Sequence, residues 1–129
     1  MSLLVVENLH KAFGGIRAVN GVSFRLDAGD AVAMIGPNGA GKTTCFNLLG
    51  GQLRPDGGRI TLAGRSISGL PPPAIWRFGL ARTFQVAATF RSMAVRENVQ
   101  VALLSHRRRT LGLWRPARAL MADEADMLL

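Results

Sequence analysis

The chain has 129 residues, of which 48% are hydrophobic and 19% are charged. This composition is typical of one globular domain with a modest core, and it excludes an intrinsically disordered chain. The longest apolar runs, residues 3–6 and 31–35, are far shorter than the roughly 20 residues that span a bilayer. The N-terminus shows no signal-peptide pattern, and the single cysteine excludes an internal disulfide. We therefore expect a soluble, cytoplasmic protein.

The charge of the chain is strongly basic and unevenly placed. Its net charge is +8, and nine arginines lie between Arg77 and Arg118. Such a surface can meet nucleic acid or the anionic inner leaflet of a membrane. It can equally be a solvated helix face whose charges are answered by acidic residues outside this chain. Both interpretations stay open at this point.

The first elements that the sequence predicts are two strands, at residues 3–7 and 18–26, with a turn at Gly14-Gly15 between them. Another tight turn is predicted at residues 27–30. Residues 31–35 form a continuous apolar run, which is typical of a strand buried on both faces of a sheet. This start of the chain therefore predicts a small sheet.

The remaining elements alternate helices with short strands. They are a helix over residues 42–49 that Gly50-Gly51 ends, a turn at 55–58, strands at 59–63 and 80–84, a short helix opened by the proline run 71–73, and helices over 95–106 and 115–129. The helix over 95–106 places Val95, Val99 and Leu103 on one side. The whole pattern predicts a small mixed sheet joined to the start of a parallel α/β core.

The segment before the helix at 42–49 has the spacing G-x-x-x-x-G-K-T of a phosphate-binding loop, between an apolar strand and a helix. Its glycines let backbone N–H groups approach phosphates, and the helix N-terminus adds donors and a positive dipole end. Lys42 reaches the β- and γ-phosphates, the Thr43 hydroxyl ligates Mg²⁺, and Thr44 donates to a more distal phosphate oxygen. We therefore predict a site for ATP with Mg²⁺. The predicted binding residues are Gly36, Asn38, Gly39, Ala40, Gly41, Lys42, Thr43 and Thr44.

Other blocks accompany this loop along the chain. They are Phe13-Gly14-Gly15, Arg54-Pro55-Asp56-Gly57-Gly58, Arg82-Thr83-Phe84-Gln85 and Met93-Ala94-Val95-Arg96-Glu97-Asn98. In this order, and with this loop, they resemble the ATP-binding subunits of ABC transporters, in particular those of bacterial branched-chain amino-acid importers. The resemblance spans nearly the whole chain but covers only about the first half of such a subunit.

The resemblance implies an α/β fold, a P-loop NTPase core of the ABC ATPase type with an N-terminal antiparallel β subdomain. In this interpretation residues 1–85 are the β subdomain and the core up to the Q-loop, and residues 86–129 start the helical region, where the chain is truncated. Phe13 then stacks on adenine. Gln85 is the Q-loop glutamine, catalytic together with Lys42 and a Mg²⁺ ligand together with Thr43.

The resemblance also implies partners and a location. The chain is expected to act with a second ATP-binding subunit, identical or different, and with transmembrane permease subunits that residues 86–98 face, on the inner face of the plasma membrane. No nucleic acid is expected. The Walker B pair, signature loop and switch histidine follow the Q-loop in this family, so this chain alone is expected to be inactive. A nucleic-acid-associated P-loop ATPase and a non-catalytic nucleotide-binding fragment remain alternatives.

Three smaller features invite a functional interpretation that we do not favour. Gly50-Gly51-Gln52 is similar to the end of a signature loop, but it directly follows the P-loop helix and is interpreted as a helix stop. Asp123-Glu124 is similar to a Walker B end, but its alanine-rich flanks favour an exposed helix. Cys45 lies in the first turn of the P-loop helix, where packing is the favoured role.

Overall fold

The computed structural model describes residues 2–84, 89–107 and 122–129. The chain divides into two compact units, Met1–Thr83 and Phe84–Leu129. In chain order the helices and strands are β1 (Ser2–Phe13), β2 (Ile16–Asp27), α1 (Lys42–Leu49), β3 (Gly57–Leu62), β4 (Arg65–Ser66), α2 (Pro72–Arg77), α3 (Val95–His106) and α4 (Ala122–Asp126).

The first unit is built on an antiparallel four-stranded sheet in the order β2-β1-β3-β4. β1 and β2 are joined by Gly14 and Gly15, which have φ values of 51° and 88°. Two successive positive φ angles are what a two-residue hairpin turn needs, and glycine adopts them without strain. The predicted N-terminal antiparallel subdomain is therefore confirmed.

β1 continues beyond the predicted strand at residues 3–7. A bulge interrupts the alternation of buried and exposed residues after Glu7, so the sequence pattern ends there although the strand does not. Asn8 has a φ of 47°. The register of β1 shifts there against both neighbours, between Val6 and Leu9 with β2 and between Glu7 and His10 with β3. A bulge adds one residue to one strand, so the residues that face the core change parity there. Leu4 and Val6 are buried before it and Leu9 after it.

The core of the first unit lies on one face of the sheet, against α1 and the segment from Ile67 to α2. Its buried residues are Leu4, Val6, Leu9, Val19, Cys45, Leu48, Leu49, Ile60, Leu62, Ile67 and Ile75. Cys45 belongs to this cluster, and burial raises the pKa of its thiol. The interpretation of Cys45 as a packing residue is therefore confirmed.

Two predicted strands are not formed. Residues 31–35 pair with no strand among the described residues, and the Ile35 side chain is 92% exposed. A parallel strand is stable only between covered neighbours, and the described part of the chain supplies none beside this run. Residues 80–84 also lie outside regular structure.

Helix α1 covers the predicted residues and ends at the predicted glycines. Gly50 is the C-cap, and its N–H donates to the Phe46 carbonyl at 3.0 Å. Gly51 has a φ of 74°, and a Cβ there would lie 2.4 Å from the Leu70 carbonyl oxygen. Gly50-Gly51-Gln52 is thus a helix stop, as predicted.

The second unit contains α3 and α4. Helix α3 has the predicted bounds. Val99 and Leu103 are half-buried and Val95 is exposed, whereas the buried residues of the helix are Gln100 and Leu104.

Asp123 and Glu124 lie in α4, in agreement with their interpretation as part of a helix. The rest of the predicted helix at 115–129 falls largely outside the described residues. Two basic residues of α3 and its end pair with acidic residues around α4: Arg96 with Asp126, and Arg107 with Glu124 at 2.7 Å. The charges of these two arginines are therefore balanced by acidic residues of the chain itself. In the described ranges, no helix is both long and apolar enough to cross a membrane.

Candidate nucleotide site

The P-loop packs directly against β2 through Gly41. This residue is the N-cap of α1 with a φ of 83°. A Cβ at this position would lie 2.0 Å from the carbonyl oxygen of Ala18. Only glycine therefore permits both the left-handed backbone conformation and the close approach of the loop to the sheet.

The start of α1 is arranged for an anion. The Cys45 N–H donates to the Gly41 carbonyl at 2.8 Å as the first bond of the helix, so the N–H groups of Lys42, Thr43 and Thr44 precede the intrahelical ladder. No side-chain cap and no acidic residue occupies the first turn. The positive end of the helix dipole is therefore left for a ligand such as phosphate.

The Lys42 side chain folds back over the loop. Its Nζ donates to the carbonyl oxygens of Gly36 and Pro37, at 2.5 Å and 2.6 Å. The Ala40 N–H donates to Pro37 O at 3.2 Å and closes the turn. The ammonium group is thus held at the loop itself, where an incoming phosphate chain would meet a fixed positive charge.

Phe13 lies at the same end of the sheet as the P-loop. It ends β1 and pairs with Ile16 across the hairpin turn. Gly41 of the P-loop contacts Ala18 of β2. Ile16 lies two residues before Ala18, a distance of about 7 Å along the strand. The Phe13 ring is 46% exposed. The structure therefore places the predicted aromatic at the end of the sheet that the P-loop contacts, whereas Gln85 falls outside the described residues.

The oxygen donors at the loop fit Mg²⁺ only if the phosphates of the nucleotide supply further ligands. The Thr43 side chain is exposed at the helix start and offers a hydroxyl oxygen. Within the described ranges, no three His, Cys, Asp or Glu side chains gather as a metal cage. Mg²⁺ in nucleotide sites takes few protein oxygens and completes its shell with phosphates and water, so a lone hydroxyl donor is compatible with it.

Asp56, which the sequence interpretation left in a turn without a role, contacts the strand that carries Phe13. Its carboxylate accepts from Lys11 Nζ at 2.6 Å and from the Ala12 N–H at 2.8 Å. The hydrogen bond from Lys11, and next the one from Ala12, hold the pKa of Asp56 below its usual value. The charged form therefore contributes to stability above about pH 3.9, and this contribution is lost as the pH falls through the lowered pKa.

Arg82 is the second residue whose contact the sequence did not predict. Its Nη1 donates to Asn47 Oδ1 at 2.7 Å, near the C-terminal end of α1. No basic residue lies in the last turn of α1 itself, so this guanidinium supplies the positive charge that a helix C-terminus favours. Its place in the Arg82-Thr83-Phe84-Gln85 block was the available signal.

Asn98 and Glu97 organise the segment before α3. Asn98 Oδ1 accepts from the Phe90 N–H at 2.8 Å, and its Nδ2 donates to the carbonyls of Phe90, Met93 and Ala94. Glu97 accepts from the Ala94 N–H at 2.9 Å. Glu97 and Asn98 therefore stabilise the turn at residues 90–94 that precedes α3.

Comparison with known proteins identifies the class to which this fold and loop belong. The sequence profile of the ABC transporter family matches residues 19–128. The chain belongs to the ABC transporter family.

Solved structures confirm the predicted fold class. A nucleotide-free ATP-binding cassette from an ABC transporter superposes with a TM-score of 0.77 at 31% identity, over all of this chain and 53% of that one. The ADP conformation of another ABC transporter cassette superposes with a TM-score of 0.74 at 34% identity, over 90% of this chain and 48% of that one.

Curated relatives carry the name of one transporter type. The high-affinity branched-chain amino acid transport ATP-binding protein LivG of Salmonella typhimurium is 50% identical over 112 residues, which are 87% of this chain and 43% of LivG. BraF of Pseudomonas aeruginosa, with the same description, is 49% identical over 104 residues, 81% of this chain and 41% of BraF. The chain thus spans less than half the length of these relatives.

Proposed function

We propose that this chain is the N-terminal part of the ATP-binding, energy-coupling subunit of an ABC importer for branched-chain amino acids. ATP bound with Mg²⁺ and its hydrolysis in the complete dimer would drive transport. The observation that carries the proposal is the P-loop, which Gly41 packs against β2. The N-terminus of α1 has no side-chain cap and no acidic residue in its first turn, and the Lys42 ammonium lies against the loop. The identity to LivG and BraF supports the choice of solute.

This proposal gives each residue of the predicted site a role in binding the phosphates, the base or Mg²⁺. The backbone N–H groups of the non-proline residues between 36 and 44 and the Lys42 ammonium hold the phosphates, and the exposed Phe13 ring takes the adenine base. Thr43 and Gln85 supply oxygens to Mg²⁺, which when bound neutralises phosphate charge. Lys42 and Gln85 are the catalytic residues of this part of the subunit. These assignments rest on the loop geometry and on the sequence blocks.

The partners in this proposal are a second ATP-binding subunit and a permease on the inner face of the plasma membrane. In this proposal residues 1–85 are the β subdomain and the core up to the Q-loop, residues 86–129 start the helical region, and residues 86–98 face the permease. The tight hydrogen bonding of Asn98 around residues 90–94 supports a shaped docking turn there.

Binding of ATP is the first test. We expect Lys42→Ala to weaken Mg-ATP binding by roughly 10- to 100-fold, because the charge-assisted contacts to the phosphates are lost. Calorimetric titration of the wild-type and variant chains measures it. Arg25→Ala, which removes an exposed cation on β2, is the matched control and should bind as the wild type does. Equal affinities for all three chains would sink the nucleotide site.

Uptake of solute is the second test. We expect cells that carry Lys42→Ala in the gene for this protein to lose uptake of radiolabelled leucine while uptake of a basic amino acid such as lysine is unchanged. The reason is that phosphate binding by Lys42 is required to energise the importer. Normal leucine uptake with loss of another solute would retain the ATPase role and overturn the solute assignment.

A further inference from the structure

Asp56 bridges three consecutive residues at the end of β1. Its carboxylate accepts from Lys11 Nζ at 2.6 Å and from the Ala12 N–H at 2.8 Å, and its own N–H donates to the His10 carbonyl at 3.0 Å. Phe13 is the next residue along the strand. One turn residue, more than 40 positions away in sequence, therefore fixes the backbone that presents the aromatic ring.

β3 does not reach the end of β1, which is paired there with β2 alone. The last pair between β1 and β3 is His10 with Gly57, so residues 11–13 of β1 have no partner in β3. Asp56 directly precedes Gly57, and its carboxylate takes the place of a strand carbonyl by accepting the Ala12 N–H. The side chain thus extends the pairing of β1 by one more residue.

The second contact of Asp56 reaches the ring itself through Lys11. Lys11 and Phe13 are two residues apart in a strand and share one face of it. The Lys11 Nζ lies 5.5 Å from the centroid of the Phe13 ring, a cation–π arrangement. The Lys11 side chain is only 16% exposed, so the position of its ammonium is restricted by both the ring and the carboxylate.

We propose that Asp56 is a positioning residue of the base site: through Lys11 and Ala12 it holds the Phe13 ring in the orientation that stacks on the base of a bound nucleotide. This inference rests on the proposed function, in which Phe13 takes the base. The Asp56 side chain is 48% exposed, and an ion pair with one partner this exposed contributes little to global stability. The role of Asp56 is therefore seen in the part of nucleotide affinity that depends on the base.

The experiment separates that part by comparing two ligands. ATP and inorganic tripolyphosphate share a phosphate chain, but tripolyphosphate has no base. We expect Phe13→Ala to weaken ATP binding by roughly 10-fold, since the stacking of the base on the aromatic ring is lost. Asp56→Asn and Lys11→Met are each expected to weaken it by about 3-fold, a part of the same contribution. Tripolyphosphate affinity should be unchanged in all three variants.

Two further variants complete the design. Asp30→Asn is the matched control, because Asp30 also accepts a backbone N–H, that of Asp27 at 2.8 Å, at the opposite end of the β1–β2 hairpin. It should bind both ligands as the wild type does. In the Asp56→Asn/Phe13→Ala double variant, the loss of Asp56 should add no further weakening of ATP binding, because the ring it positions is gone.

Three results would overturn the inference, and they differ from a failure of the nucleotide site. They are wild-type ATP affinity in Asp56→Asn, equal weakening of ATP and tripolyphosphate in that variant, and additive losses in the double variant. If the wild-type chain binds neither ligand, or Lys42→Ala binds both normally, the proposed function fails and this inference fails with it. Thermal unfolding of each variant, measured by circular dichroism, verifies that the fold is retained.

Discussion

Replacing Gly41 with alanine is expected to destabilise the first unit by at least about 3 kcal/mol. The left-handed backbone at a φ of 83° costs an L-residue about 1–2 kcal/mol. The new Cβ would also lie 2.0 Å from the Ala18 carbonyl oxygen, and backbone on both sides leaves no flexible side chain to move away. The loop must separate from β2, or the strand must shift. Urea unfolding followed by circular dichroism measures the loss.

Gly39 provides the matched control in the same loop. Its φ is 85°, almost that of Gly41, but no atom lies within 4 Å of the Cβ that alanine would add. Gly39→Ala should therefore cost only the backbone term, about 1–2 kcal/mol. Equal destabilisation by the two substitutions would contradict the packing of Gly41 against β2, since the backbone strain alone is shared.

The local signals of the sequence predicted the parts of the fold that local physics determines. Helix α1 begins after a glycine loop and ends at Gly50 and Gly51, and both limits depend on residues next to them. The Gly14-Gly15 turn is likewise predictable, because only positive φ angles close a two-residue hairpin there. The spacing of the glycine-rich loop likewise predicted where α1 begins, but the apolar run at residues 31–35 before the loop forms no strand among the described residues.

The parts that the sequence did not predict depend on residues far apart in the chain or on strand neighbours that the described residues do not supply. The bulge at Asn8 broke the alternation of β1, so the strand was predicted to end before it reached Phe13. The run at residues 31–35 has the composition of a buried strand. Whether it forms a strand depends on the strands beside it, and composition alone does not identify those partners. The contacts of Asp56 with β1 join residues 44 and 45 positions apart, which no local pattern indicates.

Ile60→Ala is expected to cost about 3 kcal/mol, because truncating a buried isoleucine loses its transfer free energy and leaves a cavity. Ile60 is 0% exposed and pairs with Val6 of β1 in the middle of the sheet. Its carbonyl also accepts the Ile67 N–H at 2.9 Å, so the backbone around the cavity is held and collapses little. The free energy of unfolding from urea titration measures the loss.

Ile16 offers the same chemical change on the same sheet without burial. Its side chain is 74% exposed beside the hairpin turn, so Ile16→Ala should change stability by less than about 0.5 kcal/mol. The contrast between the two isoleucines tests where the core lies, since hydrophobic content and strand propensity change equally in both variants. Because Cys45 and Leu48 of α1 belong to the same buried cluster as Ile60, Ile60→Ala should also loosen the helix that begins at Lys42. A comparable loss in Ile16→Ala would contradict the position of the core around Ile60.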